Sequence, residues 1–379
     1  MKERRVGRKI ARHMTVRDIP RPRIVRGHLR RFYRVHLALD DSAPLRGEHG
    51  NRMPIRHLLR IRVFTSFISS HRYYAQRKMP ASKSVKLNTG TEMPTVGLGT
   101  WKSAPGAVEH AVEFALKHGY KSIDTAAAYQ NEAEVGVGIK ASGVARGDFF
   151  LTTKLDNPDH ENVEEALEKS LKNLGTDYLD LWLMHWPAPM TPGSKGPVQG
   201  IDWLNTWKSM EKLYKAHPEK LKAIGVSNFS VEFLERLLAN SEIVPAVNQV
   251  ELHPSCPQQD VVDFCNARGI IVTAYSPLGS DNSPLLNNEV VKKIADKYSV
   301  QPANVLISLQ ANRPGVNVLP KSVTNSRIAS NFNVIDLTEE EVKELNAIDK
   351  TLHFRACHPS WTGFGSLGFP DCKDADKDL

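Results

Sequence analysis

The stretch PGAVEHAVEFALKHGYKSIDTA, residues 105–126, decides the fold class. Val108, Ala111, Val112, Ala115 and Leu116 follow the spacing of an amphipathic helix, with Pro105 at its start and Gly119 at its stop. Ser122–Thr125 then read as a short buried strand that carries one carboxylate, Asp124. A helix followed at once by a strand is the repeating half of a β–α–β unit.

The alternation runs on in both directions. Strand-like runs stand at Thr95–Leu98, Phe149–Lys154, Leu179–His185, Leu221–Val226, Ala246–Glu251, Ile270–Tyr275 and Val316–Pro320, which with Ser122–Thr125 makes eight. Helical spacing recurs at Val163, Ala166, Leu167, Leu171 and Leu174, and at Leu204, Trp207, Met210, Leu213 and Tyr214. It recurs again at Phe233, Leu234, Leu237 and Leu238, from Val261 to Gly269, and at Val290, Val291, Ile294 and Ala295. Strict alternation implies a parallel sheet. Eight strands over about 230 residues fit a closed (β/α)8 barrel better than an open sheet. Val85–Met93, with its Asn88-Thr89-Gly90 turn, reads as a hairpin ahead of the barrel, placed to plug its N-terminal end.

Charge divides the chain into two parts. Residues 1–80 carry 21 Lys+Arg against 5 Asp+Glu, a charge of +16, while the rest carry 29 against 37, or −8. The basic character therefore belongs to an extension, and the 81–379 body is not a nucleic-acid-binding surface by composition. Residues 1–52 are Arg-rich without apolar period and read as disordered or as leader sequence. Residues 53–74 hold no acid and mix apolar residues with Arg56, Arg60 and Arg62, in the manner of a mitochondrial transit peptide. The expected location is cytoplasmic, or mitochondrial if that stretch is read as an address. No run approaches the roughly 18 apolar residues of a membrane span. Cys256, Cys265, Cys357 and Cys372 lack metal-ligand spacing and read as reduced thiols, with Cys265 facing the core.

Signatures of common chemistries are missing. Gly97-Leu98-Gly99 and Gly136-Val137-Gly138 each lack the third glycine of a dinucleotide fingerprint, and there is no P-loop, HExxH or nucleophile elbow. No metal site is expected. Barrel chemistry collects at the C-terminal ends of strands. There the sequence places Trp101, Asp124 with Tyr129 in the next loop, Lys154, His185-Trp186, Ser227-Asn228, Gln249 and Glu251, Tyr275-Ser276 and Lys321-Ser322. Asp124 and Lys154 stand on neighbouring strands and can pair, since neither is stable alone in an apolar strand. An ammonium beside Tyr129 is expected to lower the phenol's pKa and let it give a proton to a nascent alkoxide. With His185 to hold a carbonyl, the set describes carbonyl reduction by a cofactor hydride.

These residues resemble the aldo-keto reductases. His118–Ala126 with Tyr129-Gln130-Asn131-Glu132 resembles the first signature of that family, and Lys154, His185-Trp186-Pro187, Gly225–Phe229, Asn248–Glu251 and Leu319–Ser322 resemble later blocks in the same order, over about residues 84–350. The resemblance implies a (β/α)8 barrel that binds NADPH without a Rossmann fold, and a catalytic tetrad of Asp124, Tyr129, Lys154 and His185. It assigns the carboxamide to Ser227, Asn228 and Gln249, the nicotinamide ring face to Tyr275, and the pyrophosphate to Ser276, Leu278 and Ser280. Lys321, Ser322 and Arg327 would grip the 2′-phosphate and Asn331 the adenine. The substrate would meet Trp101, Trp186, Asp156 and Trp361, the last in a C-terminal tail that closes over it.

Two positions depart from the family pattern: Asp156 stands where many members place Trp, and Ser330 where many place Glu. The tail, His353–Phe369, resembles the fungal glycerol dehydrogenase and aldehyde reductase branch. The implied activity is NADPH-dependent reduction of small hydroxylated carbonyls, by a monomer or weak dimer that needs neither nucleic acid nor membrane. A pentose reductase and a non-catalytic, NADPH-binding regulatory barrel are the alternatives.

Overall fold

The computed structural model describes residues 83–378, so the basic extension with its transit-like stretch lies outside the described residues. The first described element is the hairpin. Strands β1 (Ser84–Lys86) and β2 (Glu92–Pro94) pair antiparallel with Val85 opposite Met93. Gly90 takes a φ of 88° in the turn, a conformation other residues resist. Leu87 and Met93 pack on Phe150, Leu181, Leu183 and Val247 at the starts of the barrel strands. The Asn88 amide donates to the carbonyls of Val244 and Pro245 at 3.3 and 3.2 Å. The hairpin thus stops the N-terminal end, and chemistry is left to the other end.

Eight parallel strands follow: β3 (Leu98–Gly99), β4 (Ser122–Asp124), β5 (Phe150–Leu155), β6 (Leu181–Met184), β7 (Ile224–Ser227), β8 (Val247–Glu251), β9 (Ile271–Tyr275) and β10 (Val316–Val318). Each pairs with its neighbour in sequence. Parallel bridges Val96–Val318 and Gly99–Lys321 join the first strand to the last, and Val318 N donates to Thr95 O at 2.8 Å. The sheet therefore closes into the expected barrel. All eight strands overlap the apolar runs: β4, β6, β8, β9 and β10 lie inside them and are shorter by one to three residues, β5 is shifted on by one, β7 starts three residues later and ends one later, and β3 shares only Leu98 with its run.

Among the described residues ten α-helices accompany them: α1 (Ala107–Lys117), α2 (Glu132–Ser142), α3 (Val163–Leu174), α4 (Trp203–Ala216), α5 (Val231–Leu238), α6 (Gln259–Asn266), α7 (Glu289–Tyr298), α8 (Pro302–Ala311), α9 (Asn325–Asn331) and α10 (Glu339–Asn346). Their buried faces are the periodic ones, for example Val108, Ala111, Val112, Ala115 and Leu116 of α1. Helix α8 gives no periodic signal because Asn304–Ala311 are buried on every side. After α10 the chain crosses the C-terminal ends of the strands. Leu367, Phe369 and Cys372 of this tail join the main core. No described helix is long and apolar enough to cross a membrane.

Helix α2 keeps two glycines for a packing reason. A Cβ at Gly138 would lie 2.5 Å from the Glu109 carbonyl oxygen and 2.9 Å from Val112 Cβ, both on α1. One at Gly136 would lie 2.8 Å from the carbonyl oxygens of Asn173 and Leu174 on α3. Gly→Ala inside a helix ordinarily adds about 0.5–1 kcal/mol of stability. Here the sign reverses: Gly138→Ala should cost about 2 kcal/mol through overpacking against backbone, read as a lower urea midpoint at unchanged m-value.

Candidate active site

The C-terminal mouth of the barrel opens into a cavity of about 630 Å³. Beneath it, Lys154 Nζ on β5 lies 2.5 Å from Asp124 Oδ1 on β4, donates to Thr125 O at 2.7 Å, and stands 3.5 Å from the Tyr129 hydroxyl. The sheet's stagger brings the pair together: Asp124 is opposite Thr152 in register, and Lys154 follows two residues on, on the same face. The Lys154 side chain is 0% exposed and that of Asp124 5%. Asp124 Oδ2 accepts from Gln249 Nε2 on β8 at 2.8 Å, so both carboxylate oxygens are engaged.

Tyr129 sits in a short 3-10 turn, Ala127–Tyr129, after β4. Its ring meets the His185 ring edge-on at 5.6 Å. Burial, reinforced by the Asp124 carboxylate, holds the phenol well above its ordinary pKa of 10. The expectation that Lys154 lowers it is not met in the free pocket, where burial dominates and also lowers the ammonium's own pKa. Tyr129 is thus a neutral O–H donor in the free pocket. Burial and then the Lys154 charge push the His185 imidazole well below 6.5, so that ring too is neutral. Its Nδ1 is buried without a partner while the ring lines the cavity, leaving Nε2 to face a guest.

Three further polar residues form a connected wall. Ser227 Oγ donates to Gln249 O at 2.8 Å. The Asn228 amide donates to His185 O and Ser227 Oγ at 2.9 and 3.0 Å, and its Oδ1 accepts from the Tyr275 hydroxyl at 2.8 Å. Asn228, Ser276 and Ser280 hold φ of 63°, 47° and 63°, strained positions of the kind that gather at binding sites.

Tyr129, His185, Asp124, Ser227, Asn228, Gln249, Tyr275, Ser276, Leu278, Ser280, Lys321, Trp101, Trp186, Asp156 and Trp361 all line this one cavity. Lys154 lies just below it. Ser322, Arg327 and Asn331 stand outside the lining: Ser322 Oγ caps Thr324 N at 3.1 Å, Arg327 is exposed on α9, and Asn331 is buried at that helix's end. Asp156 accepts from Asn157 N at 2.8 Å, and burial raises its carboxyl pKa. Trp186 and Trp361 meet edge-on at 5.5 Å.

Sequence reading misses several participants. Lys102 and Asp281 pair at 2.9 Å between the loops after β3 and β9, and both line the cavity. Lys321 Nζ donates to Lys102 O at 3.1 Å. Ala356, Cys357 and His358 of the tail also line it, although Cys357 reads as an ordinary thiol. These are loop residues without periodicity, and only the closed barrel brings them together. Two ammonium groups beside one carboxylate leave net positive charge along the groove. Together with a half-buried Tyr275 ring face and an amide-bearing wall, this donor set fits a phosphorylated, aromatic, carboxamide-bearing cofactor.

Residues 95–350 match the Aldo/keto reductase family. The chain belongs to that family. It is 45% identical over 304 residues to the glycerol 2-dehydrogenase (NADP(+)) of Saccharomyces cerevisiae, covering 75% of this chain and 96% of that one. It is 42% identical over 297 residues to the D/L-glyceraldehyde reductase of Hypocrea jecorina, covering 71% and 88%. Among solved structures, the Bombyx mori aldo-keto reductase in complex with NADP matches with a TM-score of 0.70 and 36% identity, over 76% of this chain and 99% of that one.

This aldo-keto reductase also supports its pocket wall with a buried histidine. His160 Nε2 lies 3.2 Å from Trp186 O and Nδ1 2.9 Å from the Thr206 hydroxyl. Burial lowers its pKa to about 4 from 6.5. Between those values the unfolded chain binds a proton that the folded one refuses. Stability from this group is therefore complete above pH 6.5 and falls by about 3 kcal/mol on acidification to pH 4. His160→Gln should flatten the pH dependence of the unfolding midpoint by about that amount between pH 4 and 6.5.

Proposed function

We propose that the chain reduces small hydroxylated aldehydes and ketones of the glyceraldehyde type to alcohols with NADPH, and runs the reverse oxidation with NADP. The observation that carries this is the neutral Tyr129 phenol 3.5 Å from a buried Lys154 that is held by Asp124, within the family whose members named above act on glycerol and glyceraldehyde. NADPH, when bound, supplies the hydride that reduces the carbonyl carbon.

The chain's own groups do the rest. His185 Nε2–H donates a hydrogen bond to the carbonyl oxygen and orients it. Tyr129 gives its proton to that oxygen as negative charge develops there, a role worth about 10²–10⁴-fold. Lys154 stabilises the phenolate left behind, and Asp124 keeps Lys154 charged and in place. Burial raises the cost of that phenolate in the empty pocket, so proton transfer awaits the charge that develops on substrate oxygen. In the reverse direction the phenolate takes the proton back.

On the cofactor side, Gln249 with Ser227 and Asn228 would meet the carboxamide, and Tyr275 the nicotinamide ring face. The Ser276–Ser280 loop, which leads into the Lys102–Asp281 pair, would lie over the pyrophosphate. Lys321, Ser322 and Arg327 would meet the 2′-phosphate and Asn331 the adenine. Trp101, Trp186 and Trp361 wall the substrate end, and Asp156 offers substrate hydroxyls an acceptor where a large apolar wall would favour bulky ketones. The complete tetrad and open cavity set this reading above a non-catalytic barrel.

The test is a carbonyl panel followed by NADPH and NADH absorbance. Glyceraldehyde should outrank steroid and polycyclic ketones in kcat/KM, and NADPH should outrank NADH. Lys321→Met should lower NADPH affinity by roughly 10- to 100-fold, the worth of one or two charged hydrogen bonds, and leave NADH as it was. Equal use of both cofactors by the wild type, or a preference for steroids, would contradict the reading.

A further inference from the structure

The last residue of β8, Glu251, has no part in the reaction above, yet its carboxylate is 0% exposed. Among the described residues no lysine or arginine lies within ion-pair distance of it. Its partners are the backbone N–H groups of Ala356 and Cys357, each at 2.7 Å, and His253 Nε2 at 2.7 Å. Since a carboxylate only accepts, His253 donates through Nε2. Its Nδ1 is buried without a partner. Burial opposes ionisation, but His253 and then the two N–H groups hold Glu251 below the usual carboxylate range.

We propose that Glu251 is a positioning residue that latches the C-terminal tail over the substrate pocket. Ala356 and Cys357 are themselves cavity-lining residues, with His358 and Trp361 following directly. Fixing two adjacent N–H groups sets where those side chains fall. The neighbouring contacts serve the same segment: Phe354 N donates to Ser255 O at 3.1 Å, and the Phe354 ring stacks on His253 at 4.8 Å. Arg355 then forks onto Asp371 at 2.8 and 2.9 Å, tying the tail's start to its end. Two of the three hydrogen bonds to this buried carboxylate come from the tail's own backbone, so lifting the tail leaves the charge to His253 alone and makes opening costly. Strand β8 thereby serves two ends, since Gln249 on it holds Asp124 while Glu251 holds the tail. Glu251 touches neither substrate nor cofactor in this account, which rests on the functional reading above.

The test compares wild type, Glu251→Gln and Glu251→Asp in the full chain. In Glu251→Gln the amide N–H would face a backbone N–H, so one of the two tail contacts becomes repulsive. Hydrogen exchange of the 353–358 peptide should speed up by roughly tenfold or more, with the β4 and β5 peptides unchanged, and KM for glyceraldehyde should rise by a similar factor. NADPH affinity should stay within about threefold, and kcat should fall less than KM rises. Glu251→Asp, charged but one carbon short, should recover part of both. If Glu251→Gln does not fold, Glu251→Asp carries the test, with faster 353–358 exchange as the expected result. Unchanged exchange and KM would overturn the latch, as would a loss confined to kcat or NADPH binding. A wild type without aldehyde turnover would overturn the functional reading, while the exchange measurement would still judge the latch.

Discussion

A lysine and an aspartate share a space inside the barrel from which water is excluded, and the rest of the site depends on that pairing. Neither charge is tolerable there alone. Removing one partner of such a pair costs about 3–5 kcal/mol because the other is left uncompensated. Their separation of 2.5 Å is set by the register of β4 against β5, and that register is fixed by closure of the sheet. The pair therefore ties chemistry to fold: a slip of one residue in either strand would turn its charge into the helix layer. Gln249 on β8 holds the second oxygen of Asp124, so strands on both sides of the barrel converge on one carboxylate.

The two ends of the barrel divide the work. Leu87 and Met93 of the hairpin fill the N-terminal end with apolar side chains, which keeps water from reaching the ion pair from below. The other end is bordered by the Ser276–Ser280 loop and the tail. The tail meets the barrel through Glu251 and the Phe354–Ser255 contact. Strands thus carry the ion pair, with Tyr129 and His185 just beyond strand ends, while loops carry the groups that choose the guest.

Much of this is legible in the sequence because barrel strands are short apolar runs in which a charged residue stands out. Asp124 and Lys154 are conspicuous for that reason, and Tyr129 and His185 follow from their places just beyond strand ends. Helix α8 is not legible, since it is buried on every side and lacks a period. The Lys102–Asp281 pair is not legible either, because its members lie 179 residues apart in unrelated loops. The direction of the Tyr129 shift also escapes the sequence. Proximity of Lys154 can be inferred from strand order, but the depth of burial that reverses the effect is a property of the packed tail and loops. Glu251 is visible as a strand-end carboxylate, and only the folded tail shows what it holds.

The central claim is that Tyr129, poised above the Lys154–Asp124 pair, delivers the proton. Single-turnover reduction of glyceraldehyde by NADPH-loaded Tyr129→Phe tests it most directly, with NADPH affinity measured alongside. The account predicts a rate lower by at least about 10²-fold, with NADPH affinity within about threefold of wild type. A single-turnover rate close to wild type at unchanged NADPH binding would contradict it and place the proton donor elsewhere.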